Sequence, residues 1–129
     1  MGIELTNDQI YAVYDLESWW HKPDSKQVFE ISGSPGTGKS FLVKVFIERL
    51  GLDNSEVLYM AYMGKAAMVL ARNGLPAKTI HSSIYDYVEH PVRGEDGKFI
   101  RYKNGKVKLK GEFELKDHLP KRLKLIVID

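Results

Sequence analysis

Apolar positions along this chain follow two rhythms, one of helices and one of strands. Over residues 5–20 they recur with mostly helical spacing through Ile10, Val13, Tyr14 and Leu16, and Thr6 followed by Gln9 has the form of a capping box. Lys22-Pro23-Asp24 ends that helix. Val28-Phe29-Glu30-Ile31 reads as a short strand. Residues 40–50 read as a heavily buried helix, with Phe41, Leu42, Val45, Phe46 and Leu50 on its apolar side and Gly51 as its cap. Residues 57–61 predict another strand, 65–72 a helix stopped by Asn73-Gly74, and 79–87 a short helix.

The pattern then changes character. Residues 99–102 and 107–109 flank Lys103-Asn104-Gly105-Lys106, and Asn-Gly is a strong signal for a two-residue hairpin turn. Residues 125–128 form an unbroken apolar run, as expected of a strand covered on both faces. Strands alternating with helices predict an α/β fold on a parallel sheet, with the hairpin inserted into it. No internal repeat and no low-complexity tract is evident.

Composition narrows the class. A chain of 129 residues holds one ordinary domain, and 43% apolar with 28% charged residues excludes disorder and fibres. No stretch approaches the ~20 apolar residues that span a bilayer, and the start lacks a signal peptide's layout. The absence of cysteine excludes disulfides and cysteine-based zinc sites, and fits a cytoplasmic setting. A formal net charge of +2 conceals a gradient. Residues 1–30 carry six carboxylates against Lys22 and Lys26, a balance of −4, and residues 31–97 hold seven of each sign. Residues 98–124 carry ten Lys and Arg against Glu112, Glu114 and Asp117, a balance of +7. A basic third on a balanced chain points to a local polyanion contact, the plainer alternative being a solvated, lysine-rich surface.

The strongest chemical signal is Gly33-Ser34-Pro35-Gly36-Thr37-Gly38-Lys39-Ser40, which fits G-x-x-x-x-G-K-[ST] between a predicted strand and a predicted helix. The glycines let the backbone fold tightly and aim several N–H groups at one polyphosphate, and the following helix points its positive end at the same place. Lys39 reaches the β- and γ-phosphates, and the Ser40 hydroxyl is a ligand for Mg²⁺. A magnesium-binding carboxylate is expected at the carboxyl end of a neighbouring strand, and Asp129, directly after the apolar run, has that form. ATP and Mg²⁺ are therefore the expected cofactors. Gln9 combines a capping role with an amide side chain suited to the amide edge of adenine.

Two further blocks, Gly64-Lys65-Ala66-Ala67 and Lys78-Thr79-Ile80-His81, follow the middle strand and its helix. Their order with Gln9, the phosphate loop and the acidic strand resembles RecD-like superfamily 1 DNA helicases. A compact hairpin between these blocks and the acidic strand looks most like the Dda-type phage helicases, in layout and not residue by residue. The resemblance implies a RecA-like P-loop fold, with a first motor domain at residues 1–90 and 119–129 and an inserted, pin-like hairpin at 91–118. It implies ATP-driven 5′ to 3′ movement on single-stranded DNA toward a duplex junction, and carries over Lys65, Thr79 and His81 as DNA contacts. Lys98, Arg101, Lys103, Lys106 and Lys108 suit backbone phosphates, while Phe99 and Tyr102 fall on opposite strand faces and form no shared stacking platform. Structural roles stand beside these, Thr79 as a helix N-cap and His81 as a partly buried histidine.

In such motors ATP lies between two RecA-like domains. The first adds a glutamate directly after the magnesium carboxylate, and the second an arginine. The sequence ends at Asp129, so the expectation is an incomplete first domain that binds nucleotide but does not unwind. The alternatives are a non-motor nucleotide- or single-strand-binding protein and an AAA-type ATPase. Against the latter stands the separation of 90 residues between Lys39 and Asp129. Trp19 and Trp20 are expected as packing anchors, Asp86 and Glu89 as a solvated helix face, and His21, His90 and His118 as isolated side chains.

Overall fold

The apolar run at the end of the chain forms its sheet with a partner nearly seventy residues earlier, as a parallel α/β layer requires. In the computed structural model, which describes residues 4–34, 36 and 38–129, β1 (Val57–Ala61) lies between β2 (Lys78–Thr79) and β5 (Leu125–Ile128). All three are parallel, with Met60 opposite Lys78 on one side and Ile128 on the other. Parallel neighbours need crossovers, and α3 (Gly64–Arg72) supplies the one from β1 to β2. Tyr59 and Ala61 of β1 pack with Ile47, Ala67, Leu70 and Leu75, joined by Leu125 and Val127 of β5.

Helices α1 (Asn7–His21) and α2 (Lys39–Leu50) pack together, and the first buries Val13 and Leu16 while the second buries Leu42 and Phe46. The capping box exists as expected. Thr6 Oγ1 accepts from the Gln9 N–H at 3.3 Å, and the Gln9 side-chain oxygen accepts from the Thr6 N–H at 2.9 Å. Trp20 sits edge-on to Phe46 and Trp19 is tilted on Phe29, so both are packing anchors.

Four expectations change. Residues 28–31 form no strand; they line, together with β5, a cleft of about 890 Å³. Their propensity favours an extended backbone, but ladder bonds need a neighbour about 4.8 Å away. β5 is covered on one face only, because its other face opens on this cleft and leaves Ile126 and Ile128 exposed. The helix expected over 79–87 is shortened to α4 (Ile80–Ile84), because Tyr85-Asp86-Tyr87-Val88 has a strand's period of two. Asp86 and Glu89 thus belong to β3 (Tyr85–Pro91), on opposite faces.

The fourth change is the shape of the insertion. Its stem is an antiparallel pair, β3 with β4 (Leu109–Leu115), from Tyr85 opposite Leu115 to Pro91 opposite Leu109. Above the stem stand two small hairpins built alike. Residues 93–100 read RGEDGKFI and residues 101–108 read RYKNGKVK, so that, against expectation, the chain holds an eight-residue repeat, carried by matched hydrogen bonds more than by identity. In both, the glycine has positive φ, 77° at Gly97 and 85° at Gly105. In both, the acid or amide before it accepts from the following lysine N–H at 3.0 Å, as Asp96 does from Lys98 and Asn104 from Lys106. The leading arginine donates to the glycine carbonyl, Arg93 to Gly97 at 2.7 Å and Arg101 to Gly105 at 3.0 Å. Asn104 keeps a negative φ, so the loop is a three-residue one with a glycine bulge rather than the expected two-residue turn.

The repeat closes on itself. Val92 N–H donates to the Lys108 carbonyl, Lys108 N–H to Ile100, and Ile100 N–H to Val92, at 2.8–2.9 Å. Three residues eight positions apart form a ring of hydrogen bonds. The first hairpin leaves it between Val92 and Ile100, the second between Ile100 and Lys108, and the stem completes the circle.

Candidate nucleotide site and nucleic-acid face

Parallel sheets present ligands at the carboxyl ends of their strands, and the phosphate-loop residues and Asp129 gather there. Asp129 follows β5, with its N–H donating to the Met60 carbonyl at 2.9 Å. Lys39, Ser40 and Asp129 line the same cleft, whose wall continues through Glu30, Ile31 and Ser32 toward the phosphate loop. Within that loop Gly33, Ser34, Gly36 and Gly38 are described, whereas Pro35 and Thr37 lie outside the described residues.

The Lys39 ammonium curls back over the loop and donates to the carbonyls of Gly33 at 2.6 Å and Ser34 at 3.1 Å. It is held over the loop's opening as a half-buried point charge. Gly38 is required twice over. Its φ is 85°, and a Cβ there would come within 3.0 Å of the Gln9 side-chain nitrogen. That approach ties the start of α1 to the phosphate loop, so Gln9 reaches the site while its oxygen remains in the capping box. Among the described residues no side chain caps the first turn of α2, whose N–H groups face the loop side.

Among the described residues no cluster of three His, Asp or Glu side chains could hold a metal. Ser40 and Asp129 nevertheless fit Mg²⁺, which is commonly held by one or two protein oxygens together with substrate phosphates. No described helix is long and apolar enough to cross a membrane.

A second group occupies the same sheet edge. Thr79 lies opposite Ala61 in the β1–β2 register and caps α4, its Oγ1 accepting from the Ser82 N–H at 3.2 Å. Lys65 stands exposed in the first turn of α3, which has no side-chain cap. His81 is exposed rather than buried: its ring stacks on Tyr85 at 4.7 Å and meets Phe113 edge-on at 4.6 Å. Phe113 in turn contacts Tyr87, its cross-strand partner. Tyr87 lies across Gly111, where a Cβ would fall 1.7 Å from the tyrosine oxygen.

The chain therefore builds an aromatic face of His81, Tyr85, Tyr87 and Phe113, with Tyr87 and Phe113 each 60% exposed. Sequence reasoning missed the three strand aromatics, Tyr85, Tyr87 and Phe113. The alternation of apolar and polar residues in 85–91 and 109–115 was the signal for them. Phe99 is engaged differently, with the Arg93 guanidinium 4.2 Å above its ring. Lys98, Arg101, Lys103, Lys106 and Lys108 all lie in the paired hairpins or their junction, away from the sheet edge that carries Lys65 and Thr79. His90 bonds Glu114 at 2.6 Å, and so is not isolated.

Comparison with known proteins agrees with this geometry at the level of family. A family model described as an AAA domain matches residues 22–129. The match takes in the phosphate loop, both later blocks, the insertion and the acidic strand, so the long separation of Lys39 from Asp129 is no obstacle to that assignment. No curated protein and no solved structure matches the chain.

Proposed function

The chain belongs to the AAA domain family, and from that premise we propose that it is the ATP-binding part of an ATP-dependent DNA helicase moving 5′ to 3′ on single-stranded DNA. Nucleotide binding by a P-loop is the family-level part of this reading. The observation that carries the rest is that β1 separates two sites at one edge. Met60 pairs with Ile128, next to Asp129, and with Lys78, next to Thr79. Two strand spacings, about 10 Å, thus separate the nucleotide carboxylate from the Lys-Thr-Ile-His block.

In this reading, backbone N–H groups of the loop and the Lys39 ammonium hold the triphosphate and offset its charge. Ser40 and Asp129 would hold Mg²⁺, which would supply positive charge to offset that of the phosphates. Gln9 faces the base. Across β1, Lys65 and Thr79 take strand phosphates, and the His81–Phe113 face stacks on a base. A second RecA-like domain completes the motor, and the insertion meets the duplex junction.

The DNA side is tested by fluorescence anisotropy with a labelled oligothymidine. His81→Ala and Phe113→Ala should each weaken binding by about tenfold, in keeping with ~1–3 kcal/mol per stacked base. Unchanged affinity in both variants would leave a nucleotide-binding protein without this DNA face.

A further inference from the structure

The basic third of the sequence is not basic throughout once folded. Three of the four connector cations are paired, Lys116 near Asp86, Arg122 near Asp53 and Lys124 on Glu56, which among the described residues leaves Lys121 alone there. The stem carries Asp86, Glu89, Glu112 and Glu114 against Lys110, which itself pairs with Glu112. The two small hairpins share one turn geometry and differ in charge. The first sets Arg93 and Lys98 against Glu95 and Asp96; each leading arginine bonds its own turn glycine, but among the described residues only the Arg93 guanidinium also lies over a ring, that of Phe99. The second carries Arg101, Lys103 and Lys106 with no carboxylate, and among the described residues none of the three forms an ion pair.

We infer that the second hairpin, residues 101–107, is the prong of the insertion that contacts nucleic-acid phosphates, while its twin at 93–99 stands off them. This rests on the nucleic-acid reading above and refines it. A polyanion gains from an unpaired cluster of three cations, and is opposed by Glu95 and Asp96 at the matching tip. Because the prongs leave the junction between different pairs of its residues, one can meet a strand without the other. Lys98, expected from sequence as a contact, is thereby separated from Lys106, its structural counterpart.

The repeat provides its own control. Lys98 and Lys106 occupy the same turn position and use the same backbone N–H, so replacing either side chain costs the fold alike. The measurement is oligothymidine affinity as a function of salt for the unaltered chain, Lys98→Gln and Lys106→Gln. Lys106→Gln should lower the slope of log K against log salt by about 0.7, the value for one single-strand phosphate contact, and Lys98→Gln should leave it unchanged. Equal slopes for the two variants, or a larger loss at Lys98, would overturn the prong assignment alone. Salt-independent binding, or none, by the unaltered chain would overturn it together with the nucleic-acid reading.

Discussion

Under the proposed function the parallel sheet and the inserted arm face the same problem, placing charged side chains at a polyanion, and they position those side chains by opposite means. In the sheet, position comes from burial. Ala61 is wholly buried, and Tyr59, Leu70 and Leu75 are nearly so, and this core fixes the strand ends from which Thr79 and Asp129 project. In the arm almost nothing is buried. Position there comes from turn chemistry, a glycine of positive φ, an Asx side chain and an arginine returning to its own loop, used twice. The difference teaches that a core substitution should disturb the sheet's site through stability, whereas an arm substitution should change binding with little effect on stability.

The largest effect that separates the two regions is a truncation in each. Leu70→Ala should lower unfolding free energy by about 2–5 kcal/mol in a denaturant titration. Phe113→Ala, removing a ring that is largely exposed, should cost under ~1 kcal/mol while still weakening oligothymidine binding. Comparable stability losses would mean that the arm is part of the core after all.

A smaller effect sharpens the comparison through pH. Glu56, buried at the amino end of β1, is held below the usual glutamate range by Lys124, 2.5 Å away, and then by the Asp53 N–H. A lowered folded value means that its stabilisation is full above the ordinary glutamate pKa of about 4.3 and fades as pH falls through that lowered value. Chemical denaturation of Glu56→Gln should therefore show a deficit at neutral pH that closes in acid. Glu112→Gln, in an exposed pair of the arm, should change stability by about 0.5 kcal/mol at most.

How far the sequence disclosed all this follows the same division. The capping box at Thr6, the helix ends at Gly51 and Asn73, and the strands at 57–61 and 125–128 were legible because each rests on local chemistry or an unbroken apolar run. The phosphate loop was legible because its spacing is itself the chemistry. Residues 28–31 misled because strand propensity does not supply a ladder partner. The arm was half legible. Asn104-Gly105 announced a turn, but Asp96-Gly97 went unread because the repeat lies in spacing and hydrogen bonding more than in identity. Tyr87 was hidden for a related reason, since a two-residue period across a helix-strand boundary at Tyr85 is easily taken for a helix, and Phe113 was hidden because charged residues flank it in LKGEFEL.

The central claim is that the loop at residues 33–40 binds Mg²⁺-ATP through Lys39. Isothermal titration of Mg²⁺-ATP into the unaltered chain and into Lys39→Ala tests it directly. Binding that weakens about tenfold or more in the variant, as the loss of a charge-assisted contact demands, is the predicted result. Identical titration curves for the two proteins, or no binding by the unaltered chain, would contradict it.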